Sequence, residues 1–410
     1  MTSTDIPLPP AHTVQAALHK VTETLASELA RPTESTPSWS EFEWRIARAA
    51  AAMHGVAPLL SSRLRWRGPA DWGQFLALQR AHTLGRQRRI EQLLGAIDTR
   101  AQDAGLPVVA LKGAALHALG LYTAGERPMA DVDLLVRSAD VERAARMLQA
   151  LRFHESGATW KHRSFDPDGA AAHTTLGEHA DNAIKVDLHT KVAERLPLPE
   201  TSFSDLVLPQ RLLPGLNNYP SLASLMLHVL AHAAGTMVHR GLRLIQLVDM
   251  VRVAARMTNR DWGQLLDCRG DDHRLWWAPA PLMISARYFP SAVPSAVIAA
   301  LLPDCPWLLR KVCGRRTLSE VSYSHAFIDP IPGIVWTRSV GEMLRYLVSR
   351  VRPSSEQLAQ LNLLARTYPW AAEPQWYEQS QVRRILHWLT SRPTRAETMQ
   401  PVRAALGARH

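Results

Sequence analysis

The sequence lacks the features of secreted and membrane proteins. Its 410 residues contain no run of about 18 apolar residues that would span a bilayer. The N-terminus, MTSTDIPLPPAHTV, has neither the basic segment nor the apolar segment of a signal peptide. Only three cysteines are present, too widely spaced for a disulfide framework or a four-ligand zinc site: Cys268, Cys305 and Cys313. We therefore expect a cytoplasmic protein that has free thiols and does not bind membranes.

Lysine is scarce, yet the chain carries a formal net charge of +10 because arginine is abundant. A positive charge of this size favours an anionic partner. The arginines are scattered, however, and the one dense basic block is RQRR at 86–89. We therefore do not expect DNA binding, and a polyphosphate ligand would account for the sign of the charge equally well.

Strand-like segments are few, and hydrophobic spacing predicts that most of the chain is helical. Helices are predicted at 13–30, 40–54, 70–104, 114–120, 139–151, 221–235, 241–257, 292–302, 337–350, 355–366 and 380–391. Strands are predicted at 108–113, 131–136 and 183–189, with a hairpin inside 152–180. We therefore expect an α+β fold with an N-terminal helical region at 1–76 that has a disordered start, a core at 77–200 and a C-terminal helical domain at 201–410.

An acidic pair stands at the start of one predicted strand. Side chains alternate along a strand, so Asp131 and Asp133 should point to one side while Leu134 and Val136 point to the other. A buried carboxylate is heavily penalised unless it is paired or coordinated. Mg²⁺ prefers carboxylate and water oxygens, and it commonly binds one or two carboxylates together with substrate phosphates. The pair therefore predicts a magnesium site that carries a phosphate, although Asp-x-Asp also occurs in turns, calcium sites and glycosyltransferases.

Other residues could complete such a site. Asp187 would supply a third carboxylate for a second ion, and His189 would lie on the same face of its strand. Lys112 and Gly113 follow the first predicted strand, where glycine lets backbone amides approach a phosphate and lysine adds a positive charge. Arg127 would offer a planar fork to a phosphate. Structural alternatives stay open, because Arg127 could pair with one of the aspartates and His189 could orient Asp187.

At these residues the sequence resembles the polymerase-β-type nucleotidyltransferase superfamily, and more closely its bacterial branch of uncharacterised nucleotidyltransferases. The resemblance is carried by LKG at 111–113, Tyr122, RPMADVDLLV at 127–136 and VDLH at 186–189. It implies a small mixed-sheet core embedded in helical regions. It also implies transfer of a nucleoside monophosphate from a nucleoside triphosphate, with ATP as the expected donor, to a hydroxyl group with release of pyrophosphate. The acceptor would be a small molecule, a peptide, a protein or an RNA.

The resemblance also implies roles for individual residues in a two-metal mechanism. Asp131 and Asp133 would bridge two Mg²⁺ ions, and Asp187 would hold the ion that activates the attacking hydroxyl. The superfamily commonly has a serine near Gly113 that contacts the terminal phosphates. This chain has Lys112 and Gly113 instead, so we expect Lys112 to contact the γ-phosphate.

A histidine pair in the C-terminal helical region has two interpretations. His228 and His232 are four residues apart, which is the spacing of a zinc pair, but Val229 stands where a metalloprotease motif has glutamate. We therefore expect a structural role, or a lining role near the nucleotide. Asp249 should either pair with a nearby arginine or contribute to the acceptor pocket.

Two other functions remain open on sequence grounds. The core could be a catalytically inactive module that binds nucleotide or RNA and regulates a partner. A glycosyltransferase of the Asp-x-Asp type is the other alternative. It is disfavoured because the Lys-Gly turn comes just before the pair and no long doubly wound sheet precedes it.

Overall fold

The computed structural model describes residues 8–169, 176–198, 200–209, 211–270, 274–355, 358 and 380–407. The first seven residues of the predicted disordered start lie outside these ranges, as does most of the helix predicted at 355–366. Within the described ranges, no helix is both long enough and apolar enough to cross a membrane.

Helices dominate the described part of the chain. They are α1 Ala11–Ala30, α2 Glu41–Met53, α3 Ala57–Arg63, α4 Ala70–Asp103, α5 Lys112–Ala118, α6 Val141–Ala150, α7 Ser204–Val207, α8 Leu222–Val238, α9 Leu244–Ala254, α10 Asn259–Asp267, α11 Pro279–Tyr288, α12 Ser295–Leu301, α13 Trp307–Cys313, α14 Leu318–Val321, α15 Val340–Val351, α16 Gln381–Ser391 and α17 Ala396–Gly407. Short 3₁₀ helices occupy Ser138–Asp140, Leu302–Asp304 and Pro332–Trp336.

Capping residues fix where several of these helices begin. The Ser40 hydroxyl accepts a hydrogen bond from the Glu43 amide, and the Glu43 carboxylate accepts one from the Ser40 amide, which starts α2. Thr258 and Asp261 form the same reciprocal arrangement at the start of α10. Such capping boxes satisfy amides that have no partner inside the helix. The helix predicted at 40–54 therefore begins within one residue of its expected position.

The strands form one mixed sheet and one small hairpin. They are β1 Pro107–Ala110, β2 Asp131–Leu135, β3 Phe153–Ala158, β4 His162–Pro167, β5 Lys185–His189, β6 Ala193–Arg195, β7 Glu200–Ser202 and β8 Gly215–Asn217. The six-stranded sheet has the order β3-β4-β5-β2-β1-β8, and β6 pairs with β7. Strand β2 is parallel to β5 and antiparallel to β1.

The two faces of the sheet differ sharply in polarity. Val132, Leu134, Phe165 and Val186 point to one face, where they form a core with apolar side chains of α4 and α6. Side chains alternate along each strand, so the intervening positions of β2, β4 and β5 point to the other face. That face carries the acidic and histidine side chains of β2, β4 and β5. It is covered by α5, which contacts β2 and packs against α8; both helices belong to a second, larger core built from the N-terminal and C-terminal helices.

The fold-class prediction is confirmed, because a mixed sheet is flanked on both sides in sequence by helices. The hairpin predicted inside 152–180 is formed by β3 and β4. Two details differ from the predictions: β1 ends at Ala110, so Lys112 begins helix α5, and the three-residue strands β6, β7 and β8 were missed. Three residues are too few to show a period of two. The proposed domain boundaries at 76 and 200 remain predictions.

Candidate functional site

Three carboxylates come together on the polar face of the sheet. Asp133 of β2 lies directly opposite Asp187 of β5 in the parallel register, and Asp131 is two residues before Asp133 on the same face. Neighbouring strands are about 4.8 Å apart, so the three side chains form one acidic cluster. Asp187 is 54 residues beyond Asp133 in sequence, and only the pairing of β2 with β5 brings it here.

Asp133 is the most firmly held member of the cluster. Its Oδ1 atom accepts hydrogen bonds from Lys112 Nζ and from His189 Nε2, each at 2.8 Å. Its side chain is buried, and burial alone would oppose ionisation. The charge of Lys112 and the hydrogen bonds from both partners nevertheless hold the pKa of Asp133 well below its usual range. Asp133 is therefore a fixed negative charge at neutral pH.

Asp131 is bound far less tightly. Its side chain is exposed, and within the described ranges no hydrogen-bond or ion-pair partner contacts its carboxylate. The protein atoms packed around it still displace part of the neighbouring water. This desolvation, reinforced by the negative charge of Asp133, raises the pKa of Asp131 to about 7.

Asp187 lies between these extremes. Ser164 of β4 donates a hydrogen bond to its Oδ1 atom at 2.7 Å, and His162 Nε2 is 3.4 Å from its Oδ2 atom. Burial raises the pKa of Asp187, the hydrogen bond from Ser164 opposes that rise, and the negative charge of Asp133 adds to it. Two of the three carboxylates are thus harder to ionise than isolated ones, chiefly because the surrounding protein displaces water from them and further because Asp133 is negatively charged.

This donor set fits a divalent cation. Within the described ranges, Lys112 is the one lysine or arginine that forms an ion pair with these three aspartates. A divalent ion prefers carboxylate oxygens, and the Asp131 carboxylate, which has no partner within the described ranges, is available to one. The Asp187 carboxylate also faces two imidazoles, since His162 and His189 are opposed on β4 and β5.

A model of a family described as uncharacterised nucleotidyltransferase matches residues 40–270, which is more than half of the chain and includes the whole acidic cluster. The chain belongs to this family. The predicted family resemblance is thereby confirmed, and membership implies a transferase that uses a nucleoside triphosphate. No curated protein and no solved structure gives a significant match to the chain.

The lysine of this nucleotidyltransferase is held in an unusual backbone conformation. Lys112 has a φ of 44°, in the left-handed region that residues other than glycine seldom adopt. Its amide donates a hydrogen bond to the Tyr219 hydroxyl at 3.1 Å, and that hydroxyl is 2.7 Å from His228 Nδ1. Tyr219 and His228 therefore fix the backbone that aims Lys112 at Asp133. Local strain of this kind costs about 1–3 kcal/mol and persists only where the surroundings impose it.

A second buried polar cluster lies beside the acidic one. The Glu194 carboxylate accepts a hydrogen bond from Lys161 Nζ, and its Oε1 atom is 3.7 Å from His232 Nδ1. Burial opposes ionisation of Glu194, but the charge of Lys161 and the contact with His232 lower its pKa to about 2. His232 and His228 thus have different partners, Glu194 and Tyr219. The geometry supports the expected structural or lining role for them and not a shared zinc ion.

Arg127 is paired away from the acidic cluster. Its Nε and Nη2 atoms donate to the two carboxylate oxygens of Asp249, each at 2.8 Å, and the Tyr122 hydroxyl donates to Asp249 Oδ1 at 2.6 Å. Both charged side chains are buried. The guanidinium group of Arg127, which was expected to bind a phosphate, therefore binds Asp249 instead. This pairing matches the ion-pair alternative given for Asp249.

Gly113 has a packing role in the nucleotidyltransferase. A Cβ atom at this position would lie 2.6 Å from Arg127 Nη1 and 2.6 Å from Met129 Sδ. Both distances are shorter than Cβ atoms show in proteins. Glycine is therefore needed here so that the side chains of Arg127 and Met129 can approach the backbone. The expected approach of the Gly113 backbone to a phosphate stays a prediction.

Replacing Gly113 with Ala should destabilise the protein. The added methyl group would push against the Arg127 guanidinium, which is fixed by Asp249, so we expect a loss of about 1–3 kcal/mol in the free energy of unfolding. Urea denaturation measures this loss. Gly95→Ala is the matched control, because a Cβ at Gly95 on α4 meets no atom within 4 Å. Equal stability of G113A and wild type would contradict the packing role.

The structure brings together some of the predicted site residues and separates others. Asp131, Asp133, Asp187, Lys112 and His189 share the polar face of the sheet. Arg127 is paired with Asp249 and Gly113 packs against Arg127, so neither side chain position contacts the three aspartates within the described ranges. His189 contacts Asp133 and not Asp187, contrary to its suggested role as the group that orients Asp187.

Sequence reasoning missed four residues of this region: Lys161, His162, Ser164 and Glu194. His162 and Ser164 alternate in HRSFDP, which is the pattern of one strand face. That signal was present but weak, because the partner strand of β4 could not be identified from sequence. Glu194 belongs to a three-residue strand that gives no periodic signal.

Replacing Asp131 with Asn should stabilise the protein at alkaline pH. Because folding raises the pKa of Asp131 to about 7, its ionisation costs stability increasingly as the pH rises from about 4 to 7, and the cost is constant above that. Asn removes this cost. We expect the melting temperature of D131N to exceed that of wild type by about 1–3 °C at pH 8 and to match it at pH 4.

Differential scanning fluorimetry across this pH range tests the prediction. Asp103→Asn is the control, since Asp103 is an exposed carboxylate at the end of α4, outside the cluster. A melting temperature for D131N below that of wild type at pH 8 would show that the Asp131 carboxylate is stabilised and not strained.

Proposed function

We propose that the protein is a Mg²⁺-dependent nucleotidyltransferase that moves a nucleoside monophosphate from a nucleoside triphosphate, with ATP as the expected donor, to a hydroxyl acceptor. The observation that supports this most strongly is the convergence of Asp131, Asp133 and Asp187 from two strands. Family membership supports the general reaction. A cytoplasmic location, with its supply of nucleoside triphosphates, would suit this activity.

In this proposal Asp131, Asp133 and Asp187 hold two Mg²⁺ ions. Bound Mg²⁺ would neutralise charge on the triphosphate and lower the pKa of the attacking hydroxyl. The acceptor oxygen forms a bond to the α-phosphorus, the bond from that phosphorus to the bridging oxygen breaks, and pyrophosphate leaves with the electron pair. Asp187, whose pKa is raised, is suited to accept the proton of the acceptor hydroxyl.

Lys112 and His189 act on this chemistry through position and charge. The buried ammonium of Lys112 keeps its proton, since burial, which favours the neutral form, is outweighed by the charges of Asp133 and Asp131, which raise its pKa. It is therefore a permanent positive charge next to the place proposed for the phosphates. His189 donates to Asp133 and limits the rotation of that carboxylate. Such preorganised charges contribute strongly to phosphoryl transfer.

A pyrophosphate-release assay tests the proposal. Wild-type protein is incubated with Mg²⁺ and each of the four nucleoside triphosphates, with mixtures of small hydroxyl compounds, peptides, proteins and RNAs as acceptors. We expect release with at least one combination, and none from the double variant D131N/D133N. Release by the double variant at the wild-type rate would contradict the proposal. Binding of Mg·NTP without release across the whole screen would instead support the inactive binding module.

A further inference from the structure

One side of the acidic cluster carries imidazole nitrogens, which Mg²⁺ does not require as ligands. His162 of β4 and His189 of β5 are directly opposed in the antiparallel register, and Asp187 is opposite Ser164, two positions along. The two imidazole rings have centroids 4.9 Å apart. One ligand atom from each of His162, Asp187 and His189 lies within 4.8 Å of the other two.

Among the residues that the structure describes, two buried imidazole nitrogens in this group have no hydrogen-bond partner. They are Nδ1 of His162 and Nδ1 of His189, and the His189 side chain is only 2% exposed. Buried polar atoms are nearly always hydrogen-bonded, since leaving one unpaired costs about 1–3 kcal/mol. His189 hydrogen-bonds to Asp133 through Nε2, so within the described ranges each of the two imidazoles keeps one ring nitrogen, Nδ1, that no protein group engages.

We propose that His162, Asp187 and His189 form a binding site for a divalent transition-metal ion of the Mn²⁺, Co²⁺ and Zn²⁺ class. The role that this inference gives the ion rests on the proposed function. The binding of the ion does not. At the position next to Asp187 the inference replaces one Mg²⁺ of the proposed function with a transition-metal ion, whereas the ion held by Asp131 and Asp133, which offer oxygen ligands alone, stays Mg²⁺.

The spacing of the three side chains suits one ion. Three atoms no more than 4.8 Å apart leave a point that is about 2.8 Å or less from each of them. Metal bonds of this class to imidazole nitrogen and carboxylate oxygen are roughly 2.0–2.2 Å long. A contraction of less than about 1 Å per side chain would therefore complete the coordination.

The chemistry of the donors decides the class of metal. Imidazole nitrogen suits the later first-row ions, and the affinity of a mixed nitrogen and oxygen site for these ions rises from Mn²⁺ to Co²⁺ along the series. Mg²⁺ keeps oxygen ligands and gives up water reluctantly. A pair of histidines with one carboxylate therefore discriminates against Mg²⁺ at this position.

Pulsed EPR of the Mn²⁺ complex of the full chain tests the proposal directly, since it detects imidazole nitrogen bound to the ion. We expect nitrogen coupling in the wild type, with reduced coupling in His162→Gln and in His189→Gln. Calorimetric titration should show Mn²⁺ binding at least tenfold weaker in each variant, while Mg²⁺ binding changes less than twofold in H162Q. His154→Gln is the matched control, because His154 is an exposed imidazole that contacts Asp168.

The variants differ in their risk to folding. His189 is fully buried against Asp133, whereas His162 is 21% exposed, so His162→Gln keeps the test decisive if His189→Gln unfolds. Mn²⁺ bound without nitrogen coupling, or with unchanged affinity in H162Q, would overturn the inference. Nitrogen coupling in a protein that turns over no nucleoside triphosphate would leave this site standing and refute the proposed function. Turnover with Mg²⁺ in a protein that shows no nitrogen coupling would refute this site and leave the proposed function standing.

Discussion

Turnover of nucleoside triphosphate should fall by at least about 1,000-fold when Asp131 or Asp187 is replaced by Asn. Each substitution keeps the shape of the side chain but removes one of three negative charges proposed to hold the ions. Asp131 gives the sharper test because its carboxylate has no partner within the described ranges. The same substitution, D131N, is expected to raise thermal stability at pH 8. Loss of activity with a gain in stability is typical of a residue kept for function.

Steady-state pyrophosphate release measures this effect, with melting temperature recorded on the same samples. Asp168→Asn is the control variant, since Asp168 is a half-exposed carboxylate paired with His154. We expect wild-type turnover from D168N. A D131N protein that folds and retains more than about a tenth of wild-type turnover would remove Asp131 from the proposed catalytic group.

Breaking the Arg127–Asp249 pair should cost about 3–5 kcal/mol of folding stability. In Asp249→Ala the buried Arg127 guanidinium loses both of its 2.8 Å hydrogen bonds and its counter-charge. Arg127 cannot remove this unpaired buried charge by losing a proton. Its pKa is raised in the folded protein because the charge and hydrogen bonds of Asp249 outweigh burial. Urea denaturation of D249A against wild type measures the loss.

Two further variants separate the charge pair from its surroundings. Tyr122→Phe removes only the 2.6 Å hydrogen bond to Asp249 and should cost about 1 kcal/mol. The double variant R127M/D249L removes both charges and should be more stable than D249A. If D249A folds as stably as wild type but binds Mg·NTP more weakly, Arg127 and Asp249 belong to the nucleotide or acceptor site instead.

The long helices and the face of the acidic pair could be predicted because both depend on local pattern. The period of 3.6 residues placed the helices at 40–54 and 70–104 within one residue of α2 and α4. The period of two placed Asp131 and Asp133 on one face of β2. No long-range contact is needed for either conclusion.

The partners of the charged side chains could not be predicted in the same way. Arg127 is four residues from Asp131 in sequence, yet it pairs with Asp249, 122 residues away on α9. Lys112 was expected to contact a phosphate, and here its ammonium lies against Asp133. Partner choice depends on which helix covers the polar face of the sheet, and this is a property of the tertiary packing.

The contacts of the imidazoles could not be predicted from sequence for the same reason. His189 was recognised, but its contact with Asp133 and its opposition to His162 depend on the register between β4 and β5. A shift of one residue in that register would send every side chain of the strand to the other face. Sequence alone did not fix the register, so His162 was not identified.

Asp131, Asp133 and Asp187 are proposed to bind divalent cations together with a nucleoside triphosphate. The most direct measurement is anomalous diffraction from a crystal grown with Mn²⁺ and a non-hydrolysable triphosphate. We predict anomalous density within coordination distance of Asp133 and Asp187, with the α-phosphate bound to the same ion. A triphosphate bound elsewhere, or Mn²⁺ density at no atom of these three carboxylates, would contradict the account.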